Sequence, residues 1–196
     1  MILGKPVALF SVPPVSWKNG GGITRTLVSV PEGAGLDDFA WRVSMAEIHA
    51  PGPFSVFPQV DRTILLWRGD GAVLHSPQWP PHQLTEPLAP FHFRGEDEVA
   101  CTLAGGLTED LNLMVRRNRA YAELCVASAQ VVLRKEFSDL LVLCAAGSMR
   151  VQAQDVGETR LTEQHMLHIS SLDAEVVLVP ETTETRFVYI KARLFT

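Results

Sequence analysis

Apolar residues occur along the chain in short runs that alternate with polar residues and end at turn-forming residues. The runs are rich in Val, Leu, Ile and Phe, and residues such as Gly, Pro and Asp interrupt them at intervals of about ten. Alternation with a period of two is typical of strands with one buried face, and helical periodicity is scarce. The pattern predicts an all-β sandwich or barrel whose strands lie at 23–30, 41–48, 62–67, 71–76, 82–86, 91–95, 98–104, 129–137, 140–146, 148–154, 165–170, 174–180 and 185–193.

The segment LTEDLNLMVRRNRA, which begins at Leu107, fits two kinds of element. As a helix it would place Leu107, Leu111 and Met114 on one face, with acidic residues in its first turn and arginines in its last. As a strand it would place Asp110 and Asn112 on the face opposite Leu111. Periodicity alone leaves both alternatives open.

A weak internal repeat connects two parts of the chain. The segments ILLWRGDGAVLH, from Ile64, and LVLCAAGSMRVQ, from Leu141, each contain an apolar strand, a turn of small residues and a second strand. They lie about 76 residues apart, and a duplicated β unit whose two copies pack into one body would explain this spacing.

Composition and charge indicate a folded globular protein and argue against some classes of binding partner. With 196 residues, of which 46% are hydrophobic and 20% charged, the chain suffices for one domain or for two small halves that share a core. Its net charge of −5 argues against binding to nucleic-acid phosphates. No apolar run approaches the ~18 residues that span a bilayer. We therefore predict neither a nucleic-acid partner nor a membrane partner.

The cysteines indicate the redox state of the cellular compartment. Cys101, Cys125 and Cys144 lie in apolar surroundings and form no CxxC pair, which is typical of small core residues in a reducing compartment. The N-terminal residues lack a charged region followed by a full apolar region, so they do not resemble a signal peptide. We predict a cytoplasmic protein.

A run of three glycines in SWKNGGGITRT, from Ser16, is the first candidate for chemistry. A phosphate-binding loop would need a preceding strand, a following helix and a Gly-Lys-Ser/Thr order, and none of these is present. Asn19 followed by glycine favours a hairpin turn. Glycines also let a backbone approach a ligand closely, and Lys18, Asn19, Thr24 and Arg25 could donate hydrogen bonds to a carboxylate. These residues alone leave turn and binding site equally open.

Arg42 and Ser44 are the second candidates, because alternation places them on the strand face opposite the apolar residues Trp41 and Val43. An arginine on such a face either meets solvent or lines a cavity, where its guanidinium needs an anionic partner.

The segment PFSVFPQVDR supplies the third group of candidates. Phe54 and Phe57 could form walls of a pocket or pack in the core, and Ser55 is a hydrogen-bond donor. Asp61 and Arg62 could form an internal ion pair. No H-x-H pair, G-x-S-x-G elbow or thiolate-favouring cysteine accompanies them, so the residues indicate no metal, no cofactor and no catalytic nucleophile.

The segments SWKNGGGITR, WRVSMAEI, GPFSVFPQVDRTILLWRGDG, PFHFRGEDEVACTLAGG and DLNLMVRRN, in this order and at these distances, resemble the HutD/Ves family, and WKNGGG is closer to its HutD branch. The resemblance implies a cupin-like β-barrel built from two cupin halves in one chain, approximately 1–110 and 111–196, and it favours a strand from Asp110 to Met114. The usual metal-binding cupin pattern, G-x5-H-x-H, is absent from this sequence.

The resemblance also implies a function in histidine utilisation. The expected role is non-catalytic binding of a small anionic metabolite, such as urocanate or N-formylglutamate, that regulates the pathway. Arg42 and Arg62 would face the carboxylate, and Asp110 and Asn112 would orient an arginine. The residues implied to line the pocket are Lys18, Asn19, Gly21, Gly22, Thr24, Arg42, Ser44, Phe54, Ser55, Phe57 and Arg62.

Two other functions stay open at the level of sequence. One is a cupin-type isomerase or hydrolase that acts on a small carboxylate, with Glu47, Asp61 or His92 as acid or base. The other is a homodimeric or protein-binding module, because the edges of a sheet readily pair with another chain.

Overall fold

The computed structural model describes residues 3–134 and 136–195, and within them the chain is almost entirely β-structure. One short 3₁₀ helix, Leu9–Ser11, interrupts a succession of strands. The strands are β1 (Val7–Ala8), β2 (Val15–Ser16), β3 (Gly22–Val30), β4 (Trp41–Ile48), β5 (Gly52–Pro53), β6 (Val60–Gly69), β7 (Ala72–Ser76), β8 (Trp79–Leu84), β9 (Phe91–Arg94), β10 (Ala100–Leu103), β11 (Thr108–Arg116), β12 (Ala120–Ala127), β13 (Val131–Leu133), β14 (Asp139–Ala146), β15 (Ser148–Ala153), β16 (Gly157–Thr162), β17 (His165–Ser170), β18 (Val176–Pro180) and β19 (Arg186–Leu194).

The chain divides into two compact units. The first unit is Val12–Ala120, and the second contains the described residues up to Ser11 and from Tyr121 onward. The first unit has a six-stranded sheet in the order β2-β3-β4-β11-β6-β9 and a four-stranded sheet in the order β5-β10-β7-β8. The second has a five-stranded sheet, β1-β17-β14-β19-β12, and a four-stranded sheet, β13-β18-β15-β16.

The two units repeat one strand order. The run β4-β11-β6-β9 in the first unit corresponds to β12-β19-β14-β17 in the second, and β5-β10-β7-β8 corresponds to β13-β18-β15-β16. Each strand of the first series is matched by the strand eight places later. The weak sequence repeat falls on β6 and β7 in one copy and on β14 and β15 in the other. The two compact units divide at 120–121, and a duplicated β unit stays a prediction.

The predicted strands agree with the structure where alternation is strong. The segment that could be helix or strand is strand β11, since it pairs with β4 on one side and with β6 on the other. Strands β12 and β16 and the two-residue strands β1, β2 and β5 were not predicted. The strand predicted at 129–137 is shorter, Val131–Leu133, and part of the predicted range lies outside the described residues.

The core of the first unit lies between its two sheets. Ile48 and Leu66 from the six-stranded sheet join Leu74, Leu84 and Cys101 from the four-stranded sheet in one buried cluster. We call the side of the six-stranded sheet that carries Ile48 and Leu66 its inner face. Because side chains alternate along a strand, every second residue of β3, β4, β6 and β11 points to this inner face.

The glycine run forms the turn of the β2–β3 hairpin. The amide of Gly20 donates to the carbonyl of Trp17, and the amide of Trp17 donates to the carbonyl of Gly22. Gly20 has a φ of 72°, in the left-handed region that favours glycine. The carbonyl of Gly21 accepts hydrogen bonds from the amides of His49 and Ala50, so the turn is fixed to the end of β4.

Gly22→Ala should destabilise the protein by about 1–3 kcal/mol, because an added methyl group would overpack a closed site. A Cβ at Gly22 would lie 2.4 Å from the carbonyl oxygen of Glu47 and 3.2 Å from the indole of Trp17. Urea unfolding would measure the change in midpoint. Gly35→Ala is the matched control, since nothing lies within 4 Å of its added Cβ. Equal midpoints for the two variants would contradict this packing role.

No helix among the described residues has the length and apolar character needed to cross a bilayer.

Candidate functional site

A polar cluster occupies the inner face of the first unit beside its apolar core. It consists of Arg42 and Ser44 on β4, Arg62 on β6, and Asp110 and Asn112 on β11. All five side chains are at least nine-tenths buried. Buried charges are uncommon in proteins and cost several kcal/mol each unless they are paired or hydrogen-bonded, so the cluster calls for a physical explanation.

Strand pairing brings the two arginines together although they are distant in sequence. In the register of the sheet, Met114 of β11 lies opposite Arg42 on one side and opposite Arg62 on the other. Asn112 is opposite Ser44 and Ile64. The central strand β11 therefore separates the two arginines by two strand spacings, roughly 10 Å between their Cα atoms. Their long side chains converge over the level of Asn112.

The Arg42 guanidinium is held by hydroxyl groups. Its Nη1 donates to Ser44 Oγ at 3.0 Å, and its Nη2 donates to Thr26 Oγ1 on β3 at 2.7 Å. Burial lowers the pKa of Arg42 below its usual range. Among the described residues no carboxylate forms a salt bridge with it, and the side chains that it bonds are both neutral hydroxyls.

The Arg62 guanidinium lies among aromatic rings. Its Nε donates a long hydrogen bond of 3.4 Å to Asn112 Oδ1. Its Cζ lies 4.8 Å from the ring centroid of Phe93, 5.3 Å from that of Phe54 and 5.9 Å from that of Phe57. Burial lowers the pKa of Arg62 to about 10, and the nearby positive charge of Arg42 acts in the same direction. The side chain is still protonated at neutral pH, with most of its donors free of partners among the described residues.

Asp110 is the carboxyl group of the cluster. Burial raises its pKa to about 7, and the positive charge of Arg62 opposes that rise. The side chain is 3% exposed, and no described residue donates a hydrogen bond to it within 3.5 Å. A neutral or half-ionised Asp110 balances less than one of the two positive charges.

The cluster therefore has an excess of positive charge in a buried setting. Two guanidinium groups carry about two charges, whereas the single carboxyl carries at most one. A small anion between the arginines would offset the cost of their burial, and the planar fork of a guanidinium matches the two oxygens of a carboxylate. Anion binding is what this arrangement can do chemically.

The structure does not bring the glycine turn next to the arginines. Lys18 and Asn19 are exposed, and Asn19 Oδ1 accepts a hydrogen bond of 3.0 Å from the amide of Gly21 in its own turn. Gly22 lies opposite Ile48, six residues along β4 from Arg42, which is about 20 Å in a strand. Contact between this turn and a ligand held by the arginines stays a prediction.

Three other predicted residues also lie apart from the paired arginines. Thr24 points to the inner face, but its Oγ1 accepts a hydrogen bond of 2.7 Å from Trp17 Nε1. Ser55 is exposed, in the connection between β5 and β6. The internal pair predicted between Asp61 and Arg62 is wrong: Asp61 is exposed and binds Arg117 at 2.7 Å, because adjacent strand residues point to opposite faces.

The residues considered as acid or base lie away from the polar cluster. Glu47 is on the opposite face of β4 and pairs with Arg25 at 2.5 Å. His92 is on the opposite face of β9, with its Nδ1 2.8 Å from Thr63 Oγ1. No three His, Cys, Asp or Glu side chains within 3–134 and 136–195 are grouped as metal ligands would be.

Sequence reasoning missed two residues of the site. Thr26 holds Arg42, and Phe93 is the aromatic ring nearest to the Arg62 guanidinium. Alternation could have identified Thr26, two residues from the predicted Thr24 on the same strand face. Phe93 required knowledge that β9 pairs with β6, with Phe93 opposite Arg62.

A separate surface groove of about 700 Å³ shares one residue with these candidates. Phe54 contributes to both, while Val56, His75, Pro81 and Val99 lie only along the groove. The groove has no arginine in its lining and does not share the charge of the polar cluster.

Comparison with known proteins relates most of the chain to one family. The family model for HutD matches residues 11–187. An uncharacterised 21.2 kDa protein in the hutC 3′ region of Pseudomonas putida is 37% identical over 139 residues, which are 71% of this chain and 72% of that protein.

Solved structures also include a HutD protein that is similar to this chain. HutD from Pseudomonas fluorescens SBW25 superposes with a TM-score of 0.84 at 27% identity, covering 98% of this chain and 99% of that one. A cupin 2 conserved barrel protein from Leptotrichia buccalis has a TM-score of 0.64 at 8% identity, covering 98% of both chains, a level that indicates the fold alone. The fold is cupin-like, as predicted, and the chain belongs to the HutD family, which is associated with the histidine utilisation locus.

Proposed function

We propose that this protein is a non-catalytic binder of a small carboxylate metabolite, held by Arg42 and Arg62, and that it regulates histidine utilisation. The observation that carries the proposal is the pair of buried guanidinium groups with a single carboxyl group, of raised pKa, beside them. An anionic ligand supplies the negative charge that the described residues do not. The family's association with histidine utilisation favours acids of that pathway, such as urocanate or N-formylglutamate.

Each residue of the cluster has a distinct part in this proposal. Arg62 offers unpaired N–H groups to the carboxylate, and its hydrogen bond to Asn112 Oδ1 sets the direction of the fork. Arg42 adds a second positive charge, held in place by Ser44 and Thr26. The rings of Phe54 and Phe57 exclude water from the guanidinium, which strengthens its attraction for an anion.

The chemistry of the cluster favours binding over turnover. Arg42 and Arg62 stay protonated at neutral pH, so they can hold an anion but cannot take up a proton from it. Ser44 accepts its hydrogen bond from Arg42, and no histidine among the described residues is bonded to it as a general base would be. A site built from fixed donors is suited to reporting the concentration of a metabolite.

A thermal-unfolding panel tests the proposal. We expect urocanate or N-formylglutamate, at ~100 times its Kd, to raise the stability by about 2.7 kcal/mol and the Tm by roughly 5–10 °C. The panel also contains histidine, glutamate and formate, the last because the P. fluorescens HutD structure is of a formate condition. Urocanamide, the neutral amide of urocanate, is the matched control and should give no shift. The proposal fails if no acid of the panel moves the Tm.

A further inference from the structure

Asp110 lies near the middle of the first unit's interior. On β11 it is opposite Ala46 of β4 and opposite Leu66 of β6. The positive charge of Arg62 stabilises its ionised form. Burial raises the pKa of Cys101 on the facing sheet, and the charge of Asp110 adds to that rise. The residue is 3% exposed, and its carboxyl oxygens are part of this remaining exposed surface.

The Asp110 carboxyl has no hydrogen-bond donor among the residues of 3–134 and 136–195. Buried polar side chains almost always have a partner, and a buried carboxyl without one costs free energy. The neighbouring Asn112 uses its oxygen for Arg62. A molecule that binds beside Asp110 can therefore supply a donor that no described residue provides.

A ligand carboxylate held by the arginines would make a hydrogen-bond donor to Asp110 more important. It would place a second negative charge near Asp110 and compete with Asp110 for the attraction of Arg62. An N–H group on the same ligand, directed at Asp110, would give the carboxyl a hydrogen-bond donor and offset the nearby negative charge of the ligand. Asp110 lies two residues from Asn112 along β11, which is about 7 Å in a strand, so a compact molecule can meet both groups.

We propose that Asp110 is a specificity-determining residue that selects carboxylates carrying an N–H donor a few ångströms from the acid group. This rests on the proposed function, because the arginines must first hold the acid group. Heteroaromatic acids with a ring N–H and acylated amino acids with an amide N–H belong to this class. Plain aliphatic or aryl carboxylates do not.

A pair of matched acids tests the selection. Urocanate carries an imidazole N–H, whereas cinnamate has the same acrylate chain on a phenyl ring. In isothermal titration at pH 8, the wild-type protein should bind urocanate at least about tenfold more tightly than cinnamate. This is the difference expected for a charge-assisted hydrogen bond. Asp110→Asn should bring the two affinities at least fivefold closer, by weakening urocanate and strengthening cinnamate.

Controls separate this inference from the proposed function. Asp61→Asn removes the same charge at the exposed pair with Arg117 and should leave the ratio of affinities unchanged. Asp110→Leu, an apolar variant of similar size, gives a second measurement if Asp110→Asn does not fold. Equal affinities in the wild type, or a ratio unchanged by both Asp110 variants, would overturn the selection while leaving carboxylate binding intact. Absence of binding by either acid to the wild type would overturn the selection, whereas the proposed function falls only if no acid of the thermal-unfolding panel binds.

Discussion

Arg62→Met should weaken carboxylate binding at least about 30-fold while leaving the protein folded. Methionine keeps much of the length of the side chain and suits the surroundings of Phe54, Phe57 and Phe93. Truncating one partner of a buried charge pair costs 2–5 kcal/mol, so the Kd should rise by roughly 30-fold or more. Titration of urocanate or N-formylglutamate into the variant measures this change directly.

Two further variants of the first unit serve as controls for Arg62→Met. Arg62→Lys keeps the charge but loses the planar fork, so its affinity should lie between those of the wild type and Arg62→Met. Arg94→Met removes an exposed arginine on β9, one position beyond the pairing partner of Arg62, and should bind like the wild type. Wild-type affinity in Arg62→Met would remove Arg62 from the site.

Asp110→Asn should be more stable than the wild type at pH 8 and no more stable at pH 5. The native Asp110 keeps its proton up to about pH 7, whereas the unfolded chain releases it near pH 4. Between these values the native state binds more protons than the unfolded state, so the contribution of Asp110 to stability falls as the pH rises from 4 to 7. Each unit of pKa shift corresponds to about 1.4 kcal/mol, and we expect a difference of about 2–4 kcal/mol between the two pH values.

The measurement is urea unfolding of both proteins at several pH values from 5 to 8, without ligand. The other titrating groups contribute equally to both proteins and cancel in the difference. Asp61→Asn is the control, because the exposed carboxylate of Asp61 should give a difference that changes little over this range. An Asp110→Asn difference that stays constant from pH 5 to pH 8 would contradict the raised pKa of Asp110.

The fold was largely predictable because its strands alternate strongly. Strand β4, Trp41–Ile48, has the predicted bounds, since large apolar residues face one side and small or polar residues the other. Strand β12 was missed because its sequence, AYAELCVA, mixes three alanines, a glutamate and a cysteine without a clear apolar face. Its place in the sheet comes from pairing with β19, which local sequence does not encode.

The candidate site was predictable only in part. Alternation placed Arg42 and Ser44 together, but the convergence of Arg42 with Arg62 depends on β11 lying between their strands. The glycine run is ambiguous in principle, because glycine is needed both where two backbones approach closely and where a backbone approaches a ligand. In the structure Gly22 meets the carbonyl of Glu47 and the indole of Trp17.

Asp110 shows a further limit of sequence reasoning. The alternating pattern of β11 assigned it to a face with Asn112, but neither its burial nor its lack of a hydrogen-bond donor is visible in the sequence. Both follow from the facing sheet, whose Cys101 lies close enough to be affected by the charge of Asp110. The electrostatic character of the site therefore depends on packing between the two sheets.

A crystal structure of the protein soaked with the tightest-binding acid of the panel tests the central claim most directly. We predict density for the ligand carboxylate within hydrogen-bonding distance of the guanidinium groups of both Arg42 and Arg62. Ligand density elsewhere, such as in the surface groove beside His75, with none between the two arginines, would contradict the claim.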